Sequence, residues 1–189
     1  MSHSYTVWVV AGPAGCGKTT VAEFLSKELD APYVEGDSLH SAENIHKMSI
    51  GIALTDDDRE PWLKKIVPET FHSIKAQSKP EGQHYGIVTC SALKKKYRDV
   101  IRASIRELRD RYGVSVGVRF LFMSMDEEVL LERVRGRQGH YMKESMVASQ
   151  LRIQELPTVS EIDSVYLNVT HKTPDEVNKL AMQAVRSLP

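Results

Sequence analysis

A chain of 189 residues with 41% hydrophobic and 26% charged content has the material for one compact domain with a sizeable core. Lysine plus arginine and aspartate plus glutamate each total 25, so a zero formal net charge leaves no global field to recruit nucleic acid or an anionic membrane, and small molecules are the expected partners. Cys16 and Cys90 alone make neither a disulfide framework nor a zinc site, and no run has the length of a bilayer span or the pattern of a secretory signal; a reducing, cytoplasmic setting is expected.

The first apolar run, Tyr5 to Val10, is β-branched and aromatic and predicts a buried strand, while Thr20 to Leu29 has the apolar spacing of a helix. Between them stands Gly12-Pro13-Ala14-Gly15-Cys16-Gly17-Lys18-Thr19, the Gly-x-x-x-x-Gly-Lys-Thr pattern of a phosphate-binding loop. Glycines bend such a loop so that successive amide N–H groups face phosphate oxygens, and the following helix adds its positive end. Gly12, Ala14, Gly15, Cys16, Gly17, Lys18, Thr19 and Thr20 are therefore candidate nucleotide contacts, with Lys18 reaching the terminal phosphates and the Thr19 hydroxyl holding Mg2+. A thiol beside Lys18 and a helix N-terminus is expected to have a lowered pKa, which makes Cys16 a candidate for oxidative inactivation.

Asp30-Ala31-Pro32 breaks the helix, and Tyr33-Val34-Glu35 predicts a short second strand closing at Gly36-Asp37. Ligands bind beyond the carboxyl ends of parallel strands, so Asp37 faces the same crevice as the loop and is a candidate base; its alternative role is the N-cap of a helix over Ser38 to Ser49. Thr55 with Asp58 three residues on predicts another helix start, running from Trp62 towards Gln77 with Pro68 bending or interrupting it. Arg59 sets a cation against the positive end of that helix, a placement more useful if it meets an anionic ligand. Gly86 to Cys90 predicts the third strand and Lys94 to Tyr112 a long helix, with Lys94 and Arg98 one turn apart and able to face one anion together. Val114 to Met123 predicts the fourth strand, and the helix from Asp126 runs into Arg133, Arg135 and Arg137 among glycines, a mobile cationic lid over residues 133–142. A returning helix over Lys143 to Glu155, a fifth strand over Ser164 to Val169 and a terminal helix over Pro174 to Ser187 complete the chain.

Strands alternating with helices imply an α/β protein, a three-layer α/β/α P-loop NTPase fold with a five-stranded parallel sheet and a helical lid insertion, in a single domain over residues 1–189. Neither Cys90 nor Met123 supplies the strand-end acid of a motor-type ATPase, and an Asn-Lys-x-Asp base reader of a switch GTPase is missing. A small kinase remains.

The residues resemble the gluconokinase family, small kinases akin to shikimate and adenylate kinases. The resemblance covers most of the chain. It rests on Gly12 to Thr19, on Asp37-Ser38-Leu39-His40 with Asn44 and Lys47-Met48, on Gly51 with Leu54 to Leu63, on Cys90 to Lys94 with Tyr97-Arg98-Asp99, and on Arg137-Gln138-Gly139-His140. It implies ATP-dependent phosphorylation of D-gluconate to 6-phospho-D-gluconate, with ATP and Mg2+ as cofactors and a homodimer as the assembly. Under it Asp37 orients or deprotonates the attacking hydroxyl, Arg59 with Lys94 and Arg98 binds the carboxylate end or hydroxyls, and Lys18 and Arg137 stabilise the transferring phosphoryl group. His40, Lys47, Ser91, His140 and Gln150 become candidates for polyol hydrogen bonds or lid closure, and Arg133 for a nucleotide phosphate contact. Pro13, Ala14, Ala53 and Leu156 depart from the family pattern without touching a proposed catalytic group. The competing readings are a kinase of another small hydroxy acid such as shikimate, and a non-enzymatic nucleotide-dependent switch module.

Overall fold

The first apolar run forms β1 (Ser4–Ala11), and its alternation assigns the two faces of a sheet. Val7, Val9 and Ala11 enter one hydrophobic core, Trp8 and Val10 the other, and all five are fully buried. A strand apolar on both faces belongs in the middle of a parallel sheet. The computed structural model, which describes residues 4–80, 82–136 and 144–188, places it there: β2 (Tyr33–Val34), β3 (Gln83–Cys90), β4 (Ser115–Ser124) and β5 (Ser164–Asn168) join it in the order β2-β3-β1-β4-β5, every pairing parallel.

Helices cover both faces. α1 (Lys18–Glu28) buries Val21, Ala22 and Leu25 in the core that holds Trp8, and α7 (Pro174–Ser187) adds Val177, Ala181, Ala184 and Val185. The opposite core is roofed by α3 (Asp56–Ala76) and α4 (Lys95–Tyr112), which pack against each other. α2 (Ala42–Ser49), α5 (Glu127–Arg135) and α6 (Glu144–Arg152) are short and lie near the carboxyl-end loops through the residues they contribute to pockets there. Among the described residues no helix is long and apolar enough to cross a membrane.

Two local expectations change and a third holds. Residues 38–49 are not one helix: a 3-10 turn spans Gly36–Leu39, the chain extends at His40 and Ser41, and α2 starts afresh with the Ser41 side chain accepting from the Asn44 N–H. Ser41 is thus the cap, and Asp37 is not. α3 also runs unbroken through Pro61 and Pro68. The carbonyls these prolines leave without intrahelical partners belong to Asp57 and Lys64, both exposed, while Trp62, Leu63, Ile66, Val67 and Phe71 bury the opposite stripe. The Thr55–Asp58 start is a full capping box, with Asp58 N–H donating to Thr55 Oγ1 at 3.1 Å and Thr55 N–H to Asp58 Oδ2 at 2.9 Å.

One glycine sets the position of the site. A Cβ on Gly36 would sit 1.8 Å from the Thr89 carbonyl oxygen, so only glycine lets the chain leaving β2 lie against the end of β3. The Gly36 N–H donates to Thr89 Oγ1 at 3.2 Å, and Trp62 Nε1 donates to the Gly36 carbonyl at 2.7 Å. The turn carrying Asp37 is thereby fixed from both sides.

Candidate active site

The loop between β1 and α1 bends through Gly12, Gly15 and Gly17, at φ of 136°, 88° and 101°. A side chain at Gly12 would place its Cβ 2.3 Å from the Met123 carbonyl oxygen, so backbone freedom and close approach both require glycine. Gly17 caps α1 without a side-chain hydrogen bond, which leaves the first-turn N–H groups and the helix's positive end to a ligand. Lys18 folds back to donate to the Pro13 carbonyl at 2.9 Å, and the Ala14 N–H donates to Gln150 Oε1 at 2.8 Å.

One cleft joins this loop to the elements facing it. Lys18, Asp37, His40, Arg59, Ser91 and Gln150 all line it, with Ala14 and Trp62. Asp37 opens towards the cleft solvent, yet the protein crowds it closely enough that burial lifts its carboxyl above the ordinary range; Lys18 opposes that rise and Glu35 adds to it. His40 stacks on Trp62 with ring centroids 4.0 Å apart and planes 19° from parallel. Burial, helped by the Arg59 charge, pushes His40 down to about 4, so the ring is neutral near pH 7. Arg59 donates through one terminal nitrogen to the carbonyls of Leu54 and Thr55, which sets the guanidinium plane and leaves further donors for an anion; its Cζ lies 5.7 Å from the Tyr97 ring centroid.

Beside the loop, the Thr19 hydroxyl lies 3.4 Å from a Glu35 carboxylate oxygen, and that carboxylate also accepts from Tyr33 and Thr89. A second pocket is lined by Cys16, Gly17, Thr20, Arg133, Lys172 and Asn178. In it the Asn178 Oδ1 is buried with no hydrogen-bond partner among the described residues.

Several assignments made from sequence do not survive. Arg98 cannot bind substrate: it is fully buried, with Nε and NH2 meeting Glu161 at 2.8 and 2.7 Å and NH1 donating to the Ala92 and Glu155 carbonyls. Lys94 does not share its target; it caps α4 and pairs with Asp56 at 3.0 Å, outside the residues lining the cleft. Lys47 turns to Asp58 at 2.8 Å and Glu43 at 3.1 Å, and Met48 lines the cleft instead. Cys16 is 2% exposed, and burial raises its thiol pKa against the opposing Lys18 charge, so the reactive-thiol expectation reverses. Of the lid expected over 133–142, residues 133–135 are the last turn of α5 and Gly136 its cap, while Arg137, His140 and the rest lie outside the described residues. Conversely, Glu35, Trp62 and Asn178 went unassigned a role; Glu35 could have been flagged, since it precedes Asp37 by two on the same strand end.

Comparison with known proteins bears on which kinase this is. A family described as an AAA domain matches residues 7–157. A probable gluconokinase of Saccharomyces cerevisiae is 40% identical, the match covering 97% of this chain and 92% of the relative. The chain belongs to the gluconokinase family. The thermosensitive gluconokinase of Escherichia coli is 34% identical over 96% of this chain and 88% of its own. The crystal structure of a gluconokinase from Sinorhizobium meliloti superposes with a TM-score of 0.76 at 34% identity, covering 100% of this chain and 95% of that one. Membership of this family makes the chain a nucleotide-using P-loop kinase.

Proposed function

We propose that this chain catalyses ATP-dependent phosphorylation of D-gluconate to 6-phospho-D-gluconate. The observation that carries the reading is a single cleft in which the phosphate-loop Lys18 and the carboxyl of Asp37 share space with Arg59, a cation fixed by two carbonyls and still holding free donors. Gluconate needs both kinds of group, a carboxylate partner for one end and a proton acceptor for the hydroxyl at the other. Arg59 takes the carboxylate in charge-assisted hydrogen bonds. Asp37 orients the attacking hydroxyl and receives its proton, while Lys18 leaves the Pro13 carbonyl to meet the charge of the transferring phosphoryl group. Ser91 and the neutral His40 contribute hydrogen bonds to the polyol.

The donor nucleotide extends from the loop into the pocket of Thr20, Arg133 and Asn178, where the unpaired Asn178 Oδ1 offers an acceptor for the adenine amino group. Arg133, exposed at the end of α5, reaches for a phosphate. The Thr19 hydroxyl beside the Glu35 carboxylate is a hard-oxygen set that fits Mg2+, an ion which keeps several waters and takes its remaining ligands from substrate phosphates. Bound there, the ion would supply charge neutralisation at the phosphates. Two free, buried thiols, Cys16 and Cys90, support a cytoplasmic location.

A panel of sugar acids and shikimate in an ADP-release assay tests the substrate. Gluconate is expected to drive ADP release; turnover of shikimate without gluconate, or ATP consumption that needs no acceptor, refutes the reading. In the same assay Arg59→Ala is expected to raise the gluconate KM roughly tenfold or more, the scale of a lost charged hydrogen bond, with little change in the ATP KM. An equal rise in both constants would remove Arg59 from the acceptor side.

A further inference from the structure

We infer that Gln150 is a positioning residue that couples the two halves of the cleft, its side-chain carbonyl holding the Ala14 N–H until a terminal phosphate displaces it. The inference rests on the assignment of this cleft to ATP and gluconate. Ala14 belongs to the phosphate loop, yet it lines the acceptor cleft beside Lys18, Asp37 and Gln150 and is absent from the pocket of Cys16 and Gly17. Its amide therefore faces the junction where the donor's last phosphate meets the acceptor. Gln150 Oε1 already occupies that amide at 2.8 Å, across 136 residues of sequence.

One N–H cannot serve two acceptors at full strength, and a charged phosphate oxygen outcompetes a neutral carbonyl. Lys18, docked on the Pro13 carbonyl, is a second loop donor satisfied from within the protein. When Gln150 is displaced its side chain turns while its helix stays, because the chain just beyond α6 is pinned: Glu155 N–H donates to the Leu93 carbonyl at 2.8 Å and Arg98 donates to the Glu155 carbonyl at 3.0 Å. A glutamine amide is suited to the exchange, carrying an acceptor and two donors on one group. Released from Ala14, it can donate to the acceptor's hydroxyl or to a phosphate oxygen. An acceptor that engages Gln150 thus frees the Ala14 N–H for the donor, and a donor that takes Ala14 frees Gln150 for the acceptor. Coupling of this kind is reciprocal.

The test measures binding of a non-hydrolysable ATP analogue to the full chain, with and without gluconate. With one neutral hydrogen bond at stake, gluconate is expected to tighten analogue binding about threefold to tenfold in the parent. Gln150→Met should bind the analogue at least as tightly as the parent without gluconate, and gluconate should then change nothing. Gln150→Glu, whose carboxylate grips the Ala14 N–H and repels phosphate, should weaken the analogue about tenfold or more. A methionine variant that keeps the parental tightening, or that binds the analogue more weakly with no acceptor present, overturns the proposal. Absence of gluconate turnover in the parent overturns the substrate assignment, whereas the acceptor-free analogue affinities of the two variants decide the Ala14 latch by themselves.

Discussion

Asp37→Asn is expected to lower turnover by about a hundredfold or more while leaving ATP affinity nearly unchanged, the scale of a lost general base. Asn keeps the shape of the side chain and a hydrogen-bonding oxygen, so it separates proton acceptance from mere orientation. The turn that carries it is held independently, by Gly36 against Thr89 and by Trp62 on the Gly36 carbonyl, so the variant should fold as the parent does. Burial with the nearby Glu35 raises the Asp37 pKa against the pull of Lys18, and a general base works in its charged form. The acid limb of kcat/KM should therefore fall above the ordinary aspartate range, with activity declining as pH drops through it. Steady-state kinetics of the variant with ATP affinity measured separately decide the point; unchanged turnover would reduce Asp37 to a structural role.

The second large effect is on stability. Glu161→Gln should cost about 3–5 kcal/mol, because it leaves the Arg98 guanidinium buried beside a group that no longer balances its charge. The two side chains are 0% and 3% exposed and meet at 2.7 Å, with Arg102 adding a contact to Glu161 at 2.8 Å. For a chain of this size that loss corresponds to a fall in Tm of roughly 10 °C. The pH dependence has a definite sign. Pairing with Arg98 holds Glu161 down at about 2, against an ordinary value of 4.5, so its contribution is fully present above the ordinary value and is lost as pH falls towards the folded one. Thermal melts at pH 7 and across the acid range check both statements. A variant that melts within a degree or two of the parent would show that Arg98 finds sufficient compensation in the Ala92 and Glu155 carbonyls alone.

What could be read from sequence had local causes. The strands announced themselves because a parallel sheet buried on both faces demands continuous apolar runs, and the phosphate loop because its glycines and Lys18 work within eight residues. Asp37 was legible for the same reason, standing at a strand end beside that loop. Arg98 was not. Its partner Glu161 is 63 residues on, and a cation one turn from Lys94 looks like a ligand binder until that carboxylate is known to be there. Lys47 and Lys94 misled in the same way, each answering to an acid on α3. Gln150 was placed near the acceptor by resemblance, but its bond to Ala14 depends on the tertiary packing of α6. The unbroken course of α3 through two prolines depended on which carbonyls faced water, a property of the folded helix and not of proline itself.

Trp62 has one more consequence. Of the two tryptophans, Trp8 is sealed in the core between strands and helices, while Trp62, equally well buried at 3% exposure, has one edge on the cleft of Lys18 and Asp37 and a face on His40. The protein therefore carries its own candidate optical probe, one indole far from the cleft and one on its wall. A titration with gluconate is expected to change the Trp62 emission without any label, turnover or coupling enzyme; an unchanged spectrum at saturating gluconate would place the acceptor away from Trp62.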